Sequence, residues 1–277
     1  MKEYLSAPLP FVGQKRRFAK SFKTVLKGFS DKTVFVDLFG GSGILSHIAK
    51  YERPDATIVY NDFDNYRLRI KNVHRTNILL NDLRSMIKNI PYKARIIDSG
   101  IYNSILQRVK DEESRNGYVD YITLSPSLLF SMHYAKNFEE LSKSTFYNVF
   151  KQSDYNCEGY LEGVNIVSCD YKILYEQYKD DPNVVFLVDP PYLSTDVGIY
   201  KMYWRLTDYL DVLSVLNKTS FVFFTSNKSS LIELCEWIGR QYLTEDPFKE
   251  AQKIEYKSAP SRNARYQDIM FYKRKTA

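Results

Sequence analysis

The sequence predicts an α/β fold: an open, mostly parallel sheet of nucleotide-binding type, interrupted by a mainly helical insertion. Three observations predict it. Short continuous apolar runs read as strands buried on both faces, and the clearest, Val184 to Val188, runs straight into Asp189. Residues 33–60 read strand, glycine turn, helix, strand, which is the opening βαβ unit of such a sheet. From about Asn65 to Gly159 the texture changes to long polar helical patterns with many tyrosines, and then the α/β rhythm returns.

The elements follow in order. A basic amphipathic helix is expected over about 14–27, then a strand from Thr33 to Phe39. Gly40, Gly41 and Gly43 break the chain before a helix that runs to about Lys50. Thr57 to Tyr60 makes a second short strand that ends at Asn61 and Asp62. Beyond the insertion, strands at Val164–Ser168, Val184–Asp189, Phe221–Thr225 and near Gln267–Tyr272 alternate with helices at about 170–178, 205–217 and 229–240. Residues 1–64 and 160–277 are thus expected to form one domain, and residues 65–159 a second whose size suits an independent module.

Composition bounds the function. A chain of 277 residues, 44% of them hydrophobic, can bury a real core. No stretch approaches the roughly 18 apolar residues of a membrane span, and the N-terminus has no apolar signal core, so a cytoplasmic protein without membrane association is expected. Cys157, Cys169 and Cys235 are odd in number and far apart, and His47, His74 and His133 are scattered. Neither a disulfide framework nor a metal cluster is expected. The net charge of +6 is uneven: Lys2, Lys15, Arg16, Arg17, Lys20, Lys23 and Lys27 stand against Glu3 alone, and a second basic stretch runs from Arg67 to Arg95. Such asymmetry suits a polyanionic partner, and it equally suits solvated helix faces.

Three segments carry chemistry. In FVDLFGGSG, residues 35–43, glycines after a strand let a ligand approach the backbone, and the following helix turns its free amides to the same place. The spacing is not the dinucleotide fingerprint, and a tight turn with a buried, bonded Asp37 also accounts for it. IVYNDFD, residues 58–64, puts Asp62 at the tip of the next strand, about twenty residues past the glycines, where an acid holds the two hydroxyls of a ribose. An aspartate capping a helix that starts near Asn65 fits the same stretch.

The third segment, Asp189-Pro190-Pro191-Tyr192, is the most discriminating. An aromatic exocyclic amine is a poor nucleophile because its lone pair is delocalised into the ring. A carboxylate and a proline carbonyl can accept its two N–H bonds and direct the lone pair outward, while two prolines stiffen the loop. Tyr192 offers a face on which an unstacked base can lie.

PFVGQK at 10–15, FGGSG at 39–43, NDFD at 61–64 and DPPY at 189–192, in that order, resemble the Dam-like, alpha-group (D12 class) N6-adenine-specific DNA methyltransferases. The resemblance covers nearly all of the chain outside the insertion. It implies a Rossmann-like, S-adenosylmethionine-dependent methyltransferase sheet with an inserted, mainly helical target-recognition domain. It further implies S-adenosylmethionine as donor, S-adenosylhomocysteine as product, no metal, and double-stranded DNA as partner in the cytoplasm of a bacterium or phage-infected cell; one compact catalytic unit without coiled-coil heptads makes a monomer the expectation.

Carried over by residue, Phe11 and Lys15 would meet the methionine end of the cofactor, with Lys15 near its carboxylate. Asp37, Phe39, Gly41 and Gly43 would line it, Asp62 would hold its ribose, Phe63 would lie against its adenine, and Asp170 with Tyr171 would sit beside that adenine. Asp189, Pro190, Pro191 and Tyr192 would meet the target base. Ser226 and Asn227 match a recurring strand-end pair without an assigned role. The insertion departs from the family: YITLSPSLLFSMHYAKNF and QSDYNCEGYLEGV replace its Asn-, Gly- and Arg-rich stretch, so no recognition sequence is carried over. Near the C-terminus the match is loose around Arg262 and Arg265. Neighbouring readings are a cytosine-N4 DNA or adenine-N6 RNA methyltransferase, and a non-catalytic nucleic-acid-binding relative.

Overall fold

The computed structural model describes residues 1–130, 133–191, 205–217, 219–227, 229–241, 246–261 and 264–274. A 3-10 turn at Arg16–Phe18 leads into α1 (Ala19–Leu26), followed by β1 (Val34–Asp37), α2 (Ile44–Glu52) and β2 (Thr57–Asn61). Helices α3 (Tyr66–Lys71), α4 (Val73–Met86), α5 (Ser99–Asn116), α6 (Tyr121–Leu128) and α7 (Phe138–Ser142) come next. The chain then forms β3 (Asn165–Val167), α8 (Tyr171–Tyr178), β4 (Val184–Val188), α9 (Leu206–Leu216), β5 (Ser220–Ser226), α10 (Leu231–Arg240), β6 (Gln252–Ser261) and β7 (Ala264–Lys273).

Two compact units result. The first comprises Met1–Ser6, Gln14–Asn65 and Gly159–Ala277. Its seven-stranded sheet has the order β3-β2-β1-β4-β5-β7-β6, with the first five strands parallel and the last two antiparallel, a Rossmann-like arrangement. Side chains alternate across it as strand geometry requires. Val36, Phe186, Val188, Phe221 and Phe223 share a core with Leu174 of α8, Val212 of α9 and Cys235 of α10. On the other face Phe224 meets Phe18 and Phe22, and Phe35 meets Phe29. Every residue of β4 is buried, which is why it reads as an unbroken apolar run.

The second unit comprises Ala7–Gly13 and Tyr66–Glu158, and its helices pack around Leu79, Leu83, Ile105, Val109, Leu124 and Leu128. The early segment was expected with residues 1–64; by packing it goes with the helices, for a reason in its backbone. Arg69 donates from Nη2 to Pro10 O at 2.8 Å and to Thr123 Oγ1 at 2.9 Å. Tyr66 Oη donates to Leu9 O at 3.1 Å and accepts the Leu9 N–H at 3.0 Å. A short backbone run is thereby bonded to α3, and Arg69 links it onward to α6.

Two further differences from expectation are local. The first helix starts as a 3-10 turn, so only Ala19–Leu26 is α-helical. Near the C-terminus one strand was expected, and β7 has a partner, β6.

Candidate active site

Connections leave β1 in opposite directions: β2 lies on one side of it and β4 on the other. In an open parallel sheet, such a switch leaves a crevice at the carboxyl ends of the two strands. Asp37 is the last residue of β1, level with Leu187, so Asp189 emerges from β4 two positions beyond that level.

Both acids are largely withdrawn from water, and each has one oxygen without a hydrogen-bond partner among the described residues. Asp37 is fully buried; its Oδ2 accepts the Ser46 hydroxyl at 2.7 Å and its Oδ1 has no hydrogen-bond partner. Burial pushes its pKa up to about 7 against the Ser46 bond and a bond from the Phe39 backbone N–H, and the nearby charge of Asp189 adds to the rise. Asp189 retains 16% exposure of its side chain, and its Oδ2 pairs with Lys15 Nζ at 2.6 Å. Its Oδ1 is buried without a hydrogen-bond partner among the described residues. Burial raises this carboxyl too, and the Lys15 ammonium opposes the rise. Pro190 and Pro191 behind it are buried.

The glycine turn lies on Tyr60. A side chain at Gly40 would collide with the Tyr60 ring, so close approach of backbone to ring demands glycine there. Gly43 N–H closes the turn on Gly40 O at 2.7 Å, and Gly43, at φ 74°, sets the start of α2. Tyr60 Oη is 2.8 Å from Gly41 O and 2.9 Å from Asp62 Oδ1, two acceptors for one proton. Asp62 is buried and its N–H reaches Val167 O at 2.7 Å. Phe39 packs on Tyr171 with ring centroids 4.8 Å apart, and Phe63 is exposed. Asp170 is exposed and caps α8, accepting the Lys172 N–H on Oδ1 at 2.8 Å.

The strand ends of the first unit and the turns that follow them therefore carry Asp37, Phe39, Gly41, Gly43, Asp62, Phe63, Asp170, Tyr171, Asp189, Pro190 and Pro191, and Lys15, just ahead of the 3-10 turn, reaches them through Asp189. Phe11 belongs to the second unit, edge-on to Tyr66 at 5.8 Å. Tyr192 and Arg262 lie outside the described residues, and Arg265 falls in β7. Asn227 exchanges bonds with the Gln267 backbone, N–H to O at 3.0 Å and Oδ1 from N–H at 2.8 Å, which extends the β5–β7 pairing.

Sequence reasoning passed over Asn61. Its side chain donates to Leu38 O at 3.1 Å and Cys169 O at 3.0 Å and accepts the Cys169 N–H at 3.1 Å, tying the ends of β1, β2 and β3 together. The available signal was an amide residue at the end of an apolar strand, where unpaired backbone groups need partners.

The family model for D12 class N6 adenine-specific DNA methyltransferases matches residues 11–228 of the chain. A protein of Haemophilus influenzae named "Putative methyltransferase" is 36% identical over 281 residues, an alignment that covers 98% of this chain and 93% of that protein.

Proposed function

The chain belongs to the D12 class of N6 adenine-specific DNA methyltransferases, so it transfers a methyl group to the N6 amine of adenine in DNA; we propose that S-adenosylmethionine is the donor, that the DNA is double-stranded, and that the switch-point crevice is the active site. The observation that carries the last point is Asp189: one oxygen fixed by Lys15, the other buried and without a hydrogen-bond partner among the described residues. Leaving a buried acceptor unbonded is costly, on the order of 1–3 kcal/mol, so a ligand that brings a donor relieves it.

The residues present fit S-adenosylmethionine. Asp37 Oδ1, a second buried acceptor without a partner, suits the cofactor's ammonium. Asp62 suits the ribose hydroxyls, with Phe39, Phe63, Asp170 and Tyr171 beside the adenine and Gly41 and Gly43 along the backbone. Lys15 has three N–H donors, enough to keep Asp189 and to meet a carboxylate. Phe11 has the resemblance alone as support. Bound there, S-adenosylmethionine supplies an electrophilic methyl group for direct in-line transfer.

Asp189 Oδ1 and the Pro190 carbonyl accept the two N–H bonds of the adenine amine. The nitrogen lone pair is thereby turned away from the ring plane and toward the methyl group. Because the amine is buried in duplex stacking, the base leaves the helix first, at a cost of a few kcal/mol. Tyr192 provides the stacking face on this reading.

The second unit, residues 65–159 in the sequence reading, is the proposed target-recognition module. Arg67, Lys71, Arg75, Lys88, Lys93 and Arg95 are all exposed on it, as phosphate contacts require. Among the described residues no helix is long and apolar enough to cross a membrane. The enzyme is proposed to act as a monomer in the cytoplasm.

The test is methyl transfer from labelled S-adenosylmethionine to unmethylated duplex DNA, followed by digestion to nucleosides. Label in N6-methyldeoxyadenosine is expected. Label in N4-methyldeoxycytidine, or transfer to RNA alone, overturns the acceptor.

A further inference from the structure

We propose that Tyr160 and His47 are positioning residues for the glycine turn, and that the N-terminal segment containing Lys2 and Tyr4 is part of the same clamp. The inference rests on the S-adenosylmethionine reading and goes beyond it, because neither residue lies in the motifs that carry the resemblance or touches a proposed ligand.

Tyr160 Oη donates to Ser42 O at 2.9 Å, one residue beyond the Gly41 carbonyl that Tyr60 Oη meets at 2.8 Å. Two tyrosines thus hold successive carbonyls of the turn. In a trans peptide the C=O and N–H point to opposite sides. Fixing the Ser42 carbonyl therefore also sets the Gly43 N–H, the group that closes the turn on Gly40 O.

His47 holds Tyr160 in place. It is fully buried, and its ring stacks on Tyr160 with centroids 4.6 Å apart at 24°. Its Nδ1 accepts the Leu161 N–H at 3.1 Å, so the ring proton sits on Nε2, which donates to Lys2 O at 3.0 Å. Burial pushes the imidazole down to about 4, which keeps this neutral tautomer near neutral pH. Tyr4 closes the cluster edge-on, 5.2 Å from His47 and 5.1 Å from Tyr160.

Leu161 supplies the second link to the turn. Its φ of 59° is in the left-handed region, a strained conformation for leucine that the bond to His47 helps to hold. Its Cδ atoms fill the space beside Gly43, where an added Cβ would come within 2.9 Å. The turn is therefore set from behind by Tyr160 through a hydrogen bond and by Leu161 through packing.

The experiment is calorimetric binding of S-adenosylmethionine to the full chain and its Tyr160→Phe variant, which loses the hydroxyl and keeps the stacked ring. The dissociation constant is expected to rise roughly fivefold, the size of one neutral hydrogen bond. In steady state the change should fall on KM for the cofactor rather than on kcat. Tyr4→Leu, which removes ring contacts only, should raise the dissociation constant less. A lowered melting temperature with unchanged affinity in both variants makes the cluster merely structural and overturns the inference alone. Failure of the unmodified protein to bind S-adenosylmethionine overturns the cofactor reading and this inference with it.

Discussion

Asp120 in the second unit and Asp189 in the first are both shielded carboxylates paired with a cation, and the two are finished differently. In the second unit Asp120 is saturated. Arg69 Nε reaches both oxygens at 3.1 and 3.0 Å, Oδ1 also accepts the Thr123 N–H at 3.0 Å, and Oδ2 accepts the Thr123 hydroxyl at 2.6 Å. In the first unit Asp189 has Lys15 on one oxygen and, among the described residues, no hydrogen-bond partner on the other. Burial and an ion pair are common to both, so neither feature marks function. The discriminating feature is an acceptor left over after the protein has made its own bonds. A saturated carboxylate serves as a strut, whereas an unsaturated one fits a site whose remaining bond comes from a ligand.

The largest effect should come from the open member. Asp189→Ala is expected to lower methyl transfer by on the order of 10³-fold, as when one preorganised electrostatic contact is lost from an active site. Cofactor affinity should stay largely intact. Single-turnover transfer of labelled methyl, alongside calorimetry, checks both parts. Near-normal turnover would remove Asp189 from the chemistry and dissolve the contrast.

Next comes the saturated member. Arg69→Met should destabilise the protein by about 3 kcal/mol, the lower end for a broken buried pair, because Thr123 still serves the Asp120 carboxylate. Urea unfolding followed by circular dichroism measures it. If stability is unchanged, the pair is not a strut.

A smaller effect isolates the cation of the open pair. Lys15 opposes the upward pull of burial on Asp189, so Lys15→Met should raise that carboxyl further. The ionised acceptor then forms only at higher pH, and the acid limb of the kcat profile moves upward. The variant is slower on that limb and little different at alkaline pH. Parallel profiles for the variant and the parent protein would mean that Lys15 does not tune Asp189.

The contrast also explains what could be read from the chain. The central strands were legible because burial on both faces leaves apolar runs such as Val184–Val188, and the acids at the ends of β1, β2 and β4 stand out against them. Strand β6 was not, because in QKIEYKSAPS only Ile254, Tyr256 and Ala259 are apolar among polar neighbours. Pairings across long separations were invisible as well. Nothing near Lys15 announces Asp189, and nothing near Pro10 announces Arg69. His47 and Tyr160 join no periodic pattern, so their stacking emerges only when α2 and the segment after Gly159 are packed together. Local chemistry thus identified candidate acids, and only the fold distinguished saturated from open ones.

The gentlest test uses the other open carboxylate. Asp37 has its pKa raised from 3.8 to about 7, chiefly by burial. Between these values the folded protein keeps a proton that the unfolded chain has lost, so the group's contribution makes stability fall as pH rises through that window. Asp37→Asn keeps an acceptor for Ser46 and should remove this part of the decline in melting temperature. The same displacement makes a prediction about the ligand. A cation placed against Asp37 Oδ1 favours the carboxylate, so binding S-adenosylmethionine near pH 6.5 should release a fraction of a proton. Calorimetry in two buffers of different ionisation enthalpy reads that fraction, and the asparagine variant should release less. Equal release from both proteins would assign the proton to another group, and Asp37 would then join Asp120 among the struts.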